Sequence, residues 1–405
     1  MSTQTSSPKT RNRWLPYVGV VFALSVALAA SGAPSPTYVD FQKLWDLSPL
    51  ALTVAYSAYS GGVIVALLTI GGISDRIGRT PVLVVSLLIL SASLLGLATA
   101  PNLWLLIIAR LVQGLATGML TGAASAALAE THPHGDTTAA AATNSMTTSL
   151  AIAIGALISG TMLDINIGLR IPFYILFVTC LLSIVLILIA PPDSRSAKAG
   201  RLISIQHLSV PSRIRGEFAV AALCVTASWS VGGLYLALGR TMAGSLLNMY
   251  AHSTSGVVIL AVQGVGSVVQ FAWIRANPNI SLQHLVYIGM LALGSGTTLT
   301  AIGAVFMTPW IAVLGAFISG VGFGLSFMVG TKIVTNSAPD KQLSEVLAAY
   351  FVVAYFAISI PSIGVSLIIM RMGAGIAFAV FTFLICVVCA FSALIAHTKS
   401  ISSNY

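Results

Sequence analysis

The sequence predicts an all-α integral membrane protein whose twelve membrane-spanning helices form two bundles of six. Three observations support this fold class. Hydrophobic residues make up 57% of the 405 residues and charged residues only 7%, whereas a soluble domain carries about 25% charged residues. Twelve apolar runs follow one another, separated by short polar breaks. The one long polar stretch, 191–216, divides these runs into six and six.

This composition excludes a soluble enzyme, a disordered protein and a secreted disulfide scaffold, because a chain so apolar could not cover a water-facing surface. One spanning helix needs about 20 apolar residues. Backbone groups in lipid must bond within their own segment, so the runs are predicted to be helices. The predicted spans are 15–38, 50–73, 81–100, 103–129, 137–163, 171–190, 217–239, 254–273, 282–305, 309–331, 345–370 and 374–396.

These spans predict an N-terminal bundle at 1–190, a cytoplasmic linker at 191–216 and a C-terminal bundle at 217–405. The first apolar run follows three cations and ends in small residues, which is the outline of a signal peptide. That run is longer than a usual signal core, and further spans follow it. An uncleaved first membrane helix is therefore predicted.

The positive charges predict how the chain is oriented. The net charge is +9, and 14 of the 19 lysines and arginines fall on the side of the termini and the linker. Four fall on the other side, and Arg110 lies within a span. Because cytoplasmic loops carry such an excess, both termini are predicted to be cytoplasmic. The cations form no groove-sized patch, so the expected partner is the lipid bilayer and not nucleic acid.

The most specific segment is the loop between spans 2 and 3, which reads Gly-Gly-Ile-Ser-Asp-Arg-Ile-Gly-Arg-Thr-Pro over 71–81. Glycine suits the sharp bend of such a loop, and a solvated loop rich in positive charge would also explain the segment. It resembles the G-x-L-A-D-R-x-G-R-R signature of the major facilitator superfamily, from which its Ile, Ser and Thr depart. The matching positions are Gly71, Asp75, Arg76, Gly78 and Arg79.

In that superfamily the loop locks the two halves together on the cytoplasmic side, so the resemblance implies a conformational lock here. A carboxylate is stabilised near a helix N-terminus by the unpaired amides and the dipole there. Span 11 begins near Ser344 on the same side. The resemblance implies that Asp75 faces this helix end while the cytoplasmic side is closed.

Span 4 contains Arg110 within the run Arg-Leu-Val-Gln-Gly. A buried arginine costs at least a few kcal/mol in a membrane helix. If backbone carbonyl groups accept all its hydrogen bonds, its role would be structural. The run resembles the R-x-x-Q-G motif of proton-coupled members of the same superfamily, which implies a part in proton transfer for Arg110 and Gln113. Gly114, Gly118 and Gly122 recur every four residues and predict close helix packing.

Span 5 departs from the exporters of the superfamily, which often carry G-x-x-x-G-P-x-x-G-G. Gly155 and Gly160 remain and are expected to pack against other helices. Ala156 stands for the proline and Ser159 for a glycine, which weakens the interpretation as an antiporter. The same span carries eight polar residues within 137–149, which indicates a stretch that faces either a cavity or a neighbouring helix.

Several polar or aromatic side chains within the spans are candidates for lining a substrate cavity. Packing between helices would also explain each of them, because aromatic rings and amides occur at helix contacts and membrane interfaces as well. The candidates are Trp229, Gln263, Tyr355, Asn144 and Tyr59.

Arg110 is the only charge predicted to lie at depth in the membrane. The ten acidic residues fall in loops or near span ends, where Asp40 is expected to pair with Lys43. Arg240 is assigned to a loop on the outer side. An organic cation would need a carboxylate in its apolar pocket, so a neutral or weakly anionic amphiphile is the expected substrate.

The sequence contains no G-x-x-x-x-G-K-[ST] phosphate loop, so transport would be driven by an ion gradient or by the substrate's own gradient. With the resemblance, it predicts a secondary transporter and not an enzyme. The preferred form is a proton-coupled antiporter that exports small amphiphilic molecules by alternating access. An importer or facilitator is the alternative, and a non-transporting membrane sensor is a further one. A monomer without cofactor or metal is expected, in a bacterial cytoplasmic (plasma) membrane.

Overall fold

The computed structural model describes residues 14–70, 73–192, 208–276, 280–339 and 342–398. Within these ranges the regular structure is helical, and twelve spans are long and apolar enough to cross a membrane. The predicted fold class, twelve helical spans in two bundles, is confirmed. Most of the predicted linker, together with Gly71 of the loop motif, lies outside the described residues.

The first six spans comprise eight helices. They are α1 (Trp14–Gly32), α2 (Tyr38–Trp45), α3 (Pro49–Thr69), α4 (Ser74–Ile77), α5 (Arg79–Thr99), α6 (Leu103–Thr131), α7 (Thr137–Asp164) and α8 (Ile171–Ile189). Helices α1 and α2 together form span 1, and α4 lies in the loop between spans 2 and 3. We call the membrane face at which α1 begins the terminal face, and the opposite face the distal face.

The last six spans comprise seven helices. They are α9 (Arg215–Leu247), α10 (Ser253–Ile259), α11 (Val265–Ala276), α12 (Leu282–Val305), α13 (Pro309–Ser337), α14 (Leu343–Met372) and α15 (Ala374–Thr398). A π-helical segment, Leu260–Gly264, joins α10 to α11 within span 8. Large apolar side chains such as Leu291 and Phe383 are mostly exposed on the outside of this half, which suits contact with lipid.

Span 1 is longer than the predicted 15–38. After α1, one turn of 3-10 helix at Ser35–Thr37 connects to α2. Pro34 and Pro36 lie at this junction, where proline ends a regular helix yet fits the first turn of the next one. The continuation as α2 carries Asp40 to the distal face.

Span 7 is also longer than predicted, and one charge was misplaced. The predicted span 217–239 stops before Arg240 and places this residue in an outer loop. In the structure α9 continues to Leu247, and the Arg240 side chain lies within it with only 8% of its surface exposed. The helix continues through this charge because Asp40 of the other half neutralises it.

Glycine allows close helix packing within the first half. A Cβ atom on Gly114 of α6 would overlap the backbone oxygen of Tyr59 on α3, and one on Gly155 of α7 would overlap the backbone oxygen of Ala29 on α1. Lipid tails are as apolar as the helix surfaces, so no hydrophobic force drives helices together within a membrane. Close backbone contact of this kind supplies packing energy instead.

Two further glycines of the predicted packing set also lie at helix contacts, and one does not. Gly118 lies against Ala66 of α3, and Gly160 lies against the backbone of His252 before α10. Nothing lies within 4 Å of a Cβ atom built on Gly122. The spacing of four predicted packing there, but Gly122 lines a cavity near the terminal face.

Two helix pairs make the most extensive contacts between the halves. Helix α3 packs against α14, where the hydroxyl oxygens of Thr53 and Ser366 lie 2.5 Å apart. Helix α7 packs against α10, where Gly256 approaches the backbone of Leu157. All four residues lie toward the distal ends of their helices, so the halves are in contact on that side.

The glycine contacts yield a matched pair of substitutions on α6. We expect Gly114→Ala to force α6 away from α3 and to destabilise the protein by about 1–3 kcal/mol, as overpacking does. Gly122→Ala should be neutral, because its new methyl group enters open space. Thermal unfolding in detergent, followed by loss of the monodisperse species, measures both. Equal stability of the two variants would contradict the observed packing.

Candidate functional site

A cavity of about 60 Å³ lies between the two halves. Helices α1, α3, α6 and α7 line it from the first half, and α9, the π-helical segment, α13 and α14 line it from the second. This volume holds only a few water molecules. A larger molecule therefore enters only if the two halves separate at one face.

Arg110 lines this cavity and is fully buried. Its Nη1 donates to Gln113 Oε1 at 2.5 Å and to the Ser31 carbonyl oxygen at 3.3 Å. The Gln113 side chain is held in turn by its own donation to the Ala30 carbonyl oxygen at 2.8 Å. The two motif residues thus form one polar cluster against the end of α1.

This cluster compensates the guanidinium charge only in part. The guanidinium carbon lies 4.7 Å from the centre of the Tyr59 ring and 5.9 Å from that of Tyr56, which are attractive cation–π distances. Its Nε atom is buried without a hydrogen-bond partner. The described residues provide no ion pair to Arg110 and no carboxylate in the cavity wall. The positive charge is therefore left without a counter-ion.

The second half supplies an aromatic and amide wall. The rings of Trp229 and Tyr355 meet edge to face, with centroids 5.2 Å apart. Gln263 belongs to the π-helical segment, a distortion that often occurs at functional sites. The Trp229 Nε1 and Gln263 Oε1 atoms are buried without hydrogen-bond partners. In addition to the guanidinium, these cavity residues therefore carry one unpaired donor and one unpaired acceptor.

Four of the five predicted cavity candidates, Trp229, Gln263, Tyr355 and Tyr59, lie around this cavity. The fifth, Asn144, instead accepts a hydrogen bond from Ser125 of α6 at 3.2 Å. The polar run of span 5 both faces the cavity and contacts a neighbouring helix. Thr148 and Ser149 line the cavity, whereas Ser145 donates to Gln270 of the opposite half.

The loop between spans 2 and 3 forms an ionic network within the first half. Arg79 Nη1 lies 2.6 Å from the Asp75 carboxylate, and the same guanidinium donates to both oxygens of Glu130 at 2.9 and 3.3 Å. Gly78 has φ of 94°, a conformation that favours glycine. Arg79 thereby ties the loop to the end of α6.

The predicted contact between Asp75 and span 11 stays a prediction. Asp75 is paired with Arg79, and its side chain is 54% exposed. Ser74 of the loop and Ser344 of α14 line a common cavity of about 270 Å³ at the terminal face. The loop and the start of α14 are thus neighbours across a gap.

A second ionic cluster lies at the distal face and joins the two halves. Arg240 Nη1 lies 2.5 Å from Asp40 Oδ2 and also donates to the Pro36 carbonyl oxygen at 2.8 Å. His252 Nε2 lies 3.3 Å from the Asp40 carboxylate, and His252 Nδ1 lies 2.9 Å from Asp164 Oδ1. We call these four ionisable side chains, Asp40, Asp164, Arg240 and His252, the distal cluster.

Sequence reasoning missed the distal cluster. The expected partner of Asp40 was Lys43, whereas the structure pairs Asp40 with Arg240 and His252. Asp164 also accepts the backbone N–H groups of His252 and Ser253 at 2.6 and 3.0 Å. The sequence offered one indication of this cluster, namely Arg240 directly after the end of a predicted span.

Comparison with known proteins agrees with this architecture. The profile of the Major Facilitator Superfamily matches residues 20–362. A D-xylose transporter of Levilactobacillus brevis is 34% identical over 103 residues, which are 25% of this chain and 22% of that protein. The peptide transporter POT is 14% identical in its crystal structure, with a TM-score of 0.76 over 98% of this chain and 96% of that one. A nucleoside transporter, NupG, is 12% identical, with a TM-score of 0.72 over 94% and 99%.

Identities this low show a shared fold, whereas the family match extends over most of the chain. The loop motif between spans 2 and 3 and the polar cluster of span 4 lie within the matched residues. The twelve helical spans agree with the fold that the chain shares with these solved transporters. The chain therefore belongs to the major facilitator superfamily, a family of membrane transporters.

Proposed function

We propose that the protein is a proton-coupled secondary transporter that moves a small amphiphilic organic molecule through the central cavity by alternating access. The observation that carries this proposal is the buried, uncompensated Arg110 in a cavity built by both halves. An ionisable residue at this depth is costly and is typical of a substrate or ion pathway. A purely structural arginine would be fully paired.

Alternating access requires contacts that exist in only one of two states. The distal cluster has this property, because Asp40 and Asp164 belong to the first half and Arg240 and His252 to the second. Separation of the halves at the distal face would break all of these pairs together. We infer that the cavity opens toward the terminal face while the distal face is closed.

Proton coupling needs a group that gains and loses a proton. Arginine side chains do not lose their proton in proteins, so an arginine can affect coupling only through another group. The described cavity wall contains no histidine or carboxylate. Histidine changes its charge near neutral pH, and His252 lies between two carboxylates. We assign the proton-responsive role to the distal cluster.

The sign of this coupling follows from the charges. With neutral His252, the distal cluster places two negative charges on the first half against one positive charge on the second. A protonated His252 adds a second positive charge and donates from both ring nitrogens. Protonation therefore stabilises closure at the distal face, and deprotonation favours its opening.

The terminal face is proposed to face the cytoplasm of a bacterial cell, because 14 lysines and arginines fall on that side. Export is the proposed direction. Transport of a neutral sugar-like metabolite is the second candidate, favoured by the local match to a D-xylose transporter.

Orientation is tested by thiol labelling of intact cells. Lys43→Cys at the distal face should react with an impermeant maleimide, whereas Ala276→Cys at the terminal face should not. A variant without the four native cysteines provides the background. The reverse labelling pattern would overturn the orientation.

Transport is tested in proteoliposomes with benzoate, benzamide and D-xylose as labelled probes. We expect protein-dependent flux of at least one probe that responds to a pH gradient and is abolished by a protonophore. Arg110→Ala should lose this flux, because the cavity loses its charge, whereas the matched change Arg371→Ala at an exposed helix end should not. Undiminished flux in Arg110→Ala would contradict the site, and flux indifferent to the protonophore would contradict proton coupling.

The pH dependence of the same flux tests the distal cluster. In the wild type we expect the rate to depend on pH, because histidine is the side chain that most readily changes its charge near neutral pH. His252→Gln should flatten this profile, because glutamine keeps a hydrogen-bonding amide but cannot gain the charge. His284→Gln, an exposed change at the start of α12, is the control. An unaltered profile in His252→Gln would remove it from the coupling mechanism.

A further inference from the structure

We infer that the substrate of the central cavity is an organic monoanion, a carboxylate carried on an apolar body, and that Arg110 binds its charged group. The inference rests on the proposed transport function and names the class of molecule that the cavity recognises. It assigns Arg110 a direct binding role.

The charge balance of the cavity is the first argument. Burying a guanidinium away from a counter-ion is expensive in a membrane. The partners of Arg110 are one amide oxygen, one backbone carbonyl oxygen and two tyrosine rings, all formally neutral. The other buried arginine, Arg240, has a carboxylate at 2.5 Å. A ligand carboxylate would supply for Arg110 what Asp40 supplies for Arg240.

The orientation of the donors is the second argument. The guanidinium of arginine is a planar fork that fits a carboxylate. Of the described atoms, Arg110 Nε has no acceptor, although the side chain is fully buried and forms part of the cavity wall. This donor is left over after the bonds to Gln113 and Ser31 that position the fork, and we expect an incoming anion to use it.

The opposite wall determines the rest of the ligand. Trp229, Phe327 and Tyr355 form an aromatic cluster, with the Trp229 ring 5.4 Å from Phe327 and 5.2 Å from Tyr355. Such a surface favours a flat or aliphatic apolar body over a multiply charged one. The described wall offers no carboxylate that would neutralise an organic cation. One negative charge at one end of an apolar molecule matches this arrangement.

Binding to the purified full-length protein in nanodiscs tests the inference without a transport assay. Two matched sets of probes differ only in their head group: benzoate, benzamide and benzylammonium, and hexanoate, hexanamide and hexylammonium. Isothermal titration calorimetry at pH 7.5 measures each. In at least one set we expect the carboxylate to bind about tenfold or more tightly than its amide, as a charge-assisted hydrogen bond implies, and the ammonium to bind least.

Variants test whether Arg110 causes the preference for the carboxylate. Arg110→Gln should remove the preference for the carboxylate over the amide, Arg110→Lys should retain part of it, and Arg371→Gln should leave it unchanged. Equal or tighter binding of the amide or ammonium in both sets, no binding of either carboxylate, or an unchanged preference in Arg110→Gln would overturn the inference. Transport of a neutral probe alongside such a result would leave the proposed transport function standing.

Discussion

The cost of a buried guanidinium in a membrane is the constraint around which this structure is organised. Two arginines, Arg110 and Arg240, are buried in the spans, and they are compensated in different ways. Arg240 is paired with Asp40 of the other half. Arg110 has only neutral partners and borders an empty volume between the halves. One arginine thus pairs across the two halves, and we infer that the other makes the space between them attractive to a ligand.

We propose that the two arginine sites are coupled, because both lie between the same two halves. The distal cluster joins the halves at the distal face, and glycine contacts within the first half, such as Gly114 against Tyr59, pack its helices closely. We propose that a charge change at His252 acts on the whole half through this packing. In this account, protonation at the distal cluster and ligand binding at Arg110 bias one equilibrium between two arrangements.

The fold was predictable because a long charge-free run in lipid can satisfy all its backbone hydrogen bonds within itself only as a helix. The cavity was predictable in part, since Arg110 is a charge within a span. The distal cluster was not, because Arg240 and Asp40 are 200 residues apart and composition carries no information about such a pairing. For the same reason the predicted span 217–239 ends just before Arg240. The π-helical distortion that presents Gln263 and the open space at Gly122 depend on three-dimensional packing, which periodicity alone does not reveal.

Distance measurements between spin labels test the central claim most directly, namely that the Asp40 ion pairs hold the distal face closed. In a background without native cysteines, one label pair at Asn166 and Tyr250 spans the halves at the distal face, and another at His134 and Arg275 spans them at the terminal face. Double electron–electron resonance should show that Asp40→Asn lengthens the distal distances and shortens the terminal ones together. Unchanged distances at both faces, or a change at one face alone, would contradict the account.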